Sequence, residues 1–344
     1  MNKTEFLNKL NEVEYNSKWI EIEGQDLIIQ ESYGMSDPLQ GNKTLFMSAD
    51  IPSLADFSMY PIHYLGYSGL QTRAGFQSAE FFNSKNVDGL DKVYILNKGL
   101  HDCNPHKGIR VLIRDGYYLA FHSNKYVPVR QDEIFEKISS KLEEKYDCEF
   151  INGAYSIEKT YATYQLGNTS QKAIEKKLKR HSYAFSDIRI YLDVITSDVT
   201  LSGINVFPRC FVDGMVLPLA NTIKAPHLGE APLKKVLEKL DNLIPTIDLG
   251  IDKIYKLKDI ALEYPSKVAN HLMKRLKISK KIRDELQAEL DYTFGTDESN
   301  VFEVFMFLAQ FLLTSEEKNI ELENRIANIS NLSAKEFSLL DSKN

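Results

Sequence analysis

Residues 109–121 read IRVLIRDGYYLAF, two apolar, β-branched and aromatic runs joined by Asp115 and Gly116. An Asp-Gly pair supplies the two positive-φ residues that a two-residue type I′ turn requires, so this stretch predicts an antiparallel hairpin. Pairing outward from the turn sets Arg114 opposite Tyr117, Leu112 opposite Leu119 and Arg110 opposite Phe121. One face then carries Arg110, Arg114, Tyr117 and Phe121, while Ile109, Val111, Ile113, Tyr118 and Ala120 form an apolar face.

Upstream of this hairpin, residues 2–16 predict a short helix. WIEIEGQDLIIQ (19–30) alternates on both sides of a glycine and predicts a second hairpin. Residues 31–108, punctuated by Gly and Pro, read as short strands and loops. Downstream, Ile134, Phe135, Ile138 and Leu142 give 131–145 a helical period, and Asn152-Gly153 inside CEFINGAYSI marks a further hairpin. A basic helix over 171–180 leads into the longest strand signal, SDIRIYLDVITSD (186–198). GINVFPRCFVDGMVLPL (203–219) then reads as two strands around Asp213 and Gly214. From Gly229 onward the period is helical, with breaks at Pro245, Pro265 and around Gly295. The expected fold is α+β: an antiparallel, hairpin-rich sheet with packed helices over 1–228, then a mostly α-helical C-terminal region over 229–344. No internal repeat is visible.

Composition narrows the functional classes. With 43% hydrophobic and 26% charged residues the chain is globular rather than disordered. A net charge of −6 and a pI near 5.8 argue against a globally basic nucleic-acid binder, so any such contact must be local. Cys103, Cys148 and Cys210 are odd in number and far apart, which reads as free thiols in a reducing compartment. The first ten residues lack an apolar signal core. The longest apolar run, Val301–Leu313, contains Glu303 and Gln310 and is too short to span a bilayer, so the expectation is cytoplasmic and without a membrane partner.

Four groups of residues are candidates for chemistry. The hairpin face of Arg110, Arg114, Tyr117 and Phe121 combines cations for phosphates with rings for bases, the combination that single-stranded nucleic acid requires. On helix 171–180, Lys172, Lys176, Lys179 and Arg180 fall on one side, opposite Ile174 and Leu178. In SKVANHLMKRLKISKKIR, Lys267, Lys274 and Lys281 repeat every seven residues with Lys277 beside them, and Ser279 is placed to cap a new helix, a helix-turn-helix signal over 264–291. HDCNPH (101–106) clusters His101, Asp102, Cys103 and His106, all transition-metal donors, but no second Cys or His pair stands at structural-zinc spacing. The strings GxxxxGK[ST], GxGxxG, GxSxG and HExxH are absent, which favours binding over catalysis and implies no cofactor. Asp187 and Asp193 read as alternating charge along one strand.

Three stretches resemble the phage/plasmid-like protein family that carries domain of unknown function 932: SNKYVPVRQDEIFEKI (123–138), TSDVTLSGINVFPRCFVDGMV (196–216) and ESNVFEVFMFLAQFLLTSEEKNIELENRIANI (298–329). Where the family carries a Cys and an Asn-Gly after its proline-marked strand, this chain has Phe211, Val212, Asp213 and Gly214, with Cys210 as a displaced equivalent. The resemblance implies a mobile-element origin more than a chemistry; a Rad52-like annealing core is a fold-level analogy. The function expected is a non-catalytic nucleic-acid-binding protein of a phage or plasmid, acting on single-stranded DNA in replication or recombination. The alternatives are a protein-binding inhibitor of a host defence system, and a metal-dependent enzyme using the HDCNPH loop. The apolar faces of 301–329 serve either a homo-oligomer interface or an internal core.

Overall fold

The computed structural model describes residues 1–32, 46–52, 60–76, 89–180, 187–199, 203–220, 222–295, 298–313 and 320–342. The chain is α+β, with every ladder between strands antiparallel among the described residues and a helical C-terminal region. It opens on helix α1, Lys3–Tyr15, closed by a capping box between Asn2 and Glu5. The anchoring hairpin forms around the expected Asp-Gly turn, from β5 (Gly108–Arg114) and β6 (Tyr117–Ser123), with Asp115 at φ 49° and Gly116 at φ 77°, though in a shifted register. A second Asp-Gly turn, at φ 50° and 81°, joins β10 (Ile204–Val212) to β11 (Met215–Pro218).

The hairpin expected over 19–30 does not form. Strand β1, Ser17–Glu23, pairs along its whole length with β5, whereas β2, Ile28–Ser32, pairs with β3, Phe46–Asp50, and β3 with the short β4, Tyr60–Pro61, in a different sheet. Gly24 is glycine because of contact, not turn geometry: a Cβ there would lie 2.5 Å from the Asn104 carbonyl oxygen. The amides of Gly24 and Gln25 donate to Lys107 and Pro105 instead of closing a turn. Gly153 repeats the lesson, since Asn152-Gly153 lies inside strand β7, Glu149–Tyr155, with the Phe6 ring 2.6 Å from where a Cβ would stand. Residues 31–108, read as strands and loops, also hold helices Tyr64–Arg73 (α2) and Gly89–Lys98 (α3). Gly66 and Gly69 mask the helical signal of α2 because each lowers helix propensity. They are required because the helix crosses β6 closely, a Cβ on Gly69 falling 2.6 Å from the Phe121 carbonyl oxygen.

After α4, Gln131–Tyr146, the large sheet runs in the order β11-β10-β9-β8-β7, with β8 at Thr160–Gln165, β9 at Ile188–Thr196 and β12, Ile223–Ala225, also paired to β10. Helix α5, Asn168–Arg180, connects β8 to β9. One apolar cluster takes in the inward residues of this sheet, α1, α4 and α5, and continues into the C-terminal helices through Leu240, Ile251, Leu272, Phe305 and Phe337. The apolar helix Val301–Leu312 is therefore core. Among the described residues no helix is long and apolar enough to cross a membrane.

Candidate nucleic-acid interface

The basic and aromatic hairpin face is taken apart by one extra residue. The ladder slips between Leu112 and Ile113, so that Leu112 faces Ala120, Val111 faces Phe121 and Arg110 faces His122. A bulge sends the side chains beyond it on its own strand, here β6, to the opposite face. Phe121 thus enters the apolar cluster of Ile109, Val111, Ile113 and Tyr118, at 1% exposure. Arg110 is held by Glu21, 2.6 Å away, and by the Tyr126 carbonyl. Tyr117 stands edge-on to the His63 ring. Of the three cross-strand pairs expected, only that of Arg114 with Tyr117 forms, and Arg114 is buried.

Arg114 instead organises a buried polar network. Its Nη2 donates to Asp198 at 2.8 Å, its Nε to Ser17 at 2.6 Å and its Nη1 to Tyr155 at 3.3 Å. Asp198 also accepts from the Gln131 side chain, whose amide oxygen accepts from Thr160. Burial opposes the Arg114 charge, yet Asp198, Tyr155 and Glu14 more than offset it and leave the guanidinium above its ordinary value. Glu14 accepts from the backbone N–H of Gln131 at 2.8 Å, and burial pushes its carboxyl up to about 6. A pKa raised by folding stabilises the fold below the unfolded value, and that contribution is lost as pH rises through about 6. Glu14→Gln keeps the acceptor and removes the charge. Its stability relative to the parent, followed by urea unfolding, should therefore rise by about 2 kcal/mol between about pH 4 and pH 7.5. A difference independent of pH would refute the assignment.

The surface with the required chemistry lies elsewhere, on the outward face of the large sheet. In β9 and β10 alternate residues, Ile190, Leu192 and Val194 with Val206 and Cys210, enter the core. The intervening ones, Arg189, Tyr191 and Asp193 with Phe207, Arg209 and Phe211, lie on the other face, where Asp193 and Arg209 are buried, and pair Arg189 to Phe211, Tyr191 to Arg209 and Asp193 to Phe207. Tyr191 and Phe211 meet edge to face at 5.4 Å, the Arg209 guanidinium lies 5.1 Å from the Phe211 ring, and Lys224 reaches the Phe207 ring at 6.0 Å. Both Tyr191 and Phe211 are half-buried, Phe211 packing against the edge of the core. With Ile151, Asn152, Thr163 and Arg189 they border a shallow cleft of about 360 Å³.

Beneath the rings the charge is locked. Arg209 makes a two-pronged pair with Glu323 of the helix Ile320–Ala327, at 2.6 and 2.8 Å, and lies 3.5 Å from Asp193, which accepts from Thr163 at 2.5 Å. Asp193 is thus fully buried, not one of a row of surface charges, while Asp187 is exposed and pairs with Arg189 at 2.7 Å. The sequence signal for this face was the i, i+2 spacing of Arg189 and Tyr191 and of Phe207, Arg209 and Phe211. It is written in the same strands whose apolar alternation defined them.

Of the basic segments, α5 keeps its stripe: Lys172, Lys176, Lys179 and Arg180 are all exposed, opposite buried Ile174 and Leu178. The intervening Lys177 turns instead to Asp252 at 2.9 Å. The second segment does not form one stripe, because its helix ends at Arg275 and Lys277 adopts φ 59°. Lys267 donates to the Ser342 carbonyl, Lys281 stands 3.8 Å from Glu285, and Lys274 and Lys277 are exposed. Ser279 caps a helix as read, but Lys280–Glu285 is six residues long with none buried, too short and too loosely held to serve as a groove-reading helix.

In the HDCNPH loop, His101 bonds the Leu27 carbonyl at 2.8 Å and His106 bonds Glu23 at 2.9 Å. Among the described residues no group of three or more His, Cys, Asp or Glu side chains is placed to hold a metal ion. Cys148 and Cys210 are buried, which pushes both thiols up to about 12 and leaves them protonated; Cys210 sits on the covered sheet face. A scan of protein-family models and searches of curated proteins and of solved structures returned no match to this chain.

Proposed function

We propose that the chain binds single-stranded nucleic acid on the outward face of its large sheet, with no catalytic step. The observation that carries this reading is the half-buried pair Tyr191 and Phe211, with the Arg209 guanidinium over the Phe211 ring, bordering a cleft on one sheet face. Rings presented by a sheet accept unstacked bases whatever their identity, and exposed cations along the strand's path attract the phosphates. The exposed stripe Lys172, Lys176, Lys179 and Arg180, on a helix whose Ile174 and Leu178 pack with the inward residues of the sheet, supplies positive charge within an acidic chain. The three stretches that resemble the phage/plasmid-like family support a role in the replication or recombination of a mobile element.

Fluorescence anisotropy with labelled single- and double-stranded oligonucleotides tests this. Single strands should be preferred, with affinity falling as salt rises. Changing Lys172, Lys176, Lys179 and Arg180 together to Glu should flatten the salt dependence by about 0.7 log units per log unit of salt for each phosphate that is no longer neutralised. Absence of binding to either form at low salt would count decisively against the proposal.

A further inference from the structure

A second concavity, of about 470 Å³, lies between α2 and the end of β6, with Phe121, His122 and Tyr126 as its floor, Arg73 on one wall and Leu228 on its rim. Its volume falls in the range of small-molecule sites. The floor is firm: Tyr126 stacks on His122 at 4.1 Å and 9°, and Trp19, the only tryptophan, stacks on Tyr126 at 5.1 Å. Leu65 and Val199 complete an apolar lining.

Within this apolar setting stands one cation. The Nε of Arg73 is buried and finds no hydrogen-bond partner among the described residues, and burial holds the guanidinium below its ordinary value with no carboxylate acting in the other direction. Position at the last turn of α2 gives Arg73 some help from the helix dipole, but a dipole does not satisfy a buried N–H. His122 does not compete for an anion. Its Nε2 donates to the Asp198 carbonyl at 2.7 Å, and burial pushes its ring below the ordinary histidine value. The Tyr64 hydroxyl already bonds Glu158 at 2.9 Å. A half-buried guanidinium with an unsatisfied Nε at the edge of an apolar cleft is complementary to a ligand with a flat apolar body and one anionic group.

We infer that the cleft between α2 and β6 binds a small planar organic anion, a nucleoside monophosphate or an aromatic carboxylate, through Arg73. This site shares no residue with the outward sheet face, and its test is independent of strand binding. Fluorescence of Trp19, which lies directly behind the floor, is titrated with adenosine monophosphate, benzoate, uncharged adenosine and inorganic phosphate. One of the two organic anions should saturate with Kd below about 1 mM and bind at least about tenfold tighter than adenosine and phosphate. Which of the two does so identifies the anionic group. Arg73→Met should weaken that binding about tenfold or more while Tyr191→Ala leaves it unchanged. Ser68→Phe, at an exposed position lining the cleft, should block it without touching the core, which keeps the question answerable if Arg73→Met unfolds. The inference is overturned if neither anion saturates, if adenosine or phosphate binds as tightly, or if a folded Arg73→Met or Ser68→Phe protein binds like the parent.

Discussion

Arg114→Met is expected to lower the free energy of unfolding by about 3–5 kcal/mol, because it strands the carboxylate of Asp198 in the interior. Both partners are almost wholly buried, at 1% and 3% side-chain exposure, so neither charge can be rescued by water. The methionine stem fills much of the space of the arginine; what disappears is three hydrogen bonds and the counter-charge. The effect also reaches further than one pair. Asp198 is tied to Gln131 at the start of α4, Gln131 to Thr160 of β8 and to Glu14 of α1, so the network joins the hairpin sheet to the large sheet.

Neutralising the carboxylate in the double variant Arg114→Met, Asp198→Asn should restore a substantial part of the stability, since an amide oxygen still accepts from Gln131 and no bare charge remains. Arg110→Met is the control. Its partner Glu21 is 53% exposed, and its ion pair is expected to contribute no more than about 1 kcal/mol. Urea midpoints of the three variants decide the matter: equal, small losses for Arg114→Met and Arg110→Met would mean that the buried pair does not hold the sheets together.

The same residue shows what was legible from the chain and what was not. Arg114 and its partner across the hairpin follow from Asp115-Gly116, whose positive φ angles are written in the residue types. Asp213-Gly214 is legible for the same reason. The slip between Leu112 and Ile113 is not, because both registers bury apolar residues and nothing local marks the extra residue. Nor is the salt-bridge partner of Arg114, which lies 84 positions away. Gly24 and Gly153 mislead because glycine signals two different things, a positive φ or a close neighbour, and the neighbours Asn104 and Phe6 are distant in sequence. The site followed the same rule. The stripe on α5 was visible because helical spacing is local, whereas the ring face requires β9 and β10 to be set side by side in a known register.

Tyr191→Ala and Phe211→Ala should each weaken single-strand binding by about 1–3 kcal/mol, the effect of removing one stacking platform for a base. Their signature should differ from that of the lysine stripe. Rings contribute no counterion release, so the slope of affinity against salt should stay as in the parent, while the glutamate variant of α5 flattens it. Tyr191→Phe keeps the ring and should keep the affinity, separating stacking from any role of the hydroxyl. Because the two rings touch at 5.4 Å, the double variant distinguishes two geometries. Costs that add indicate two bases, one on each ring; a double variant no weaker than the worse single indicates one base resting on both, with Arg209 behind Phe211 as its electrostatic backing. If both alanine variants fold and bind as the parent does, the outward sheet face is not the interface, and the strand must be held by the charges of α5 alone.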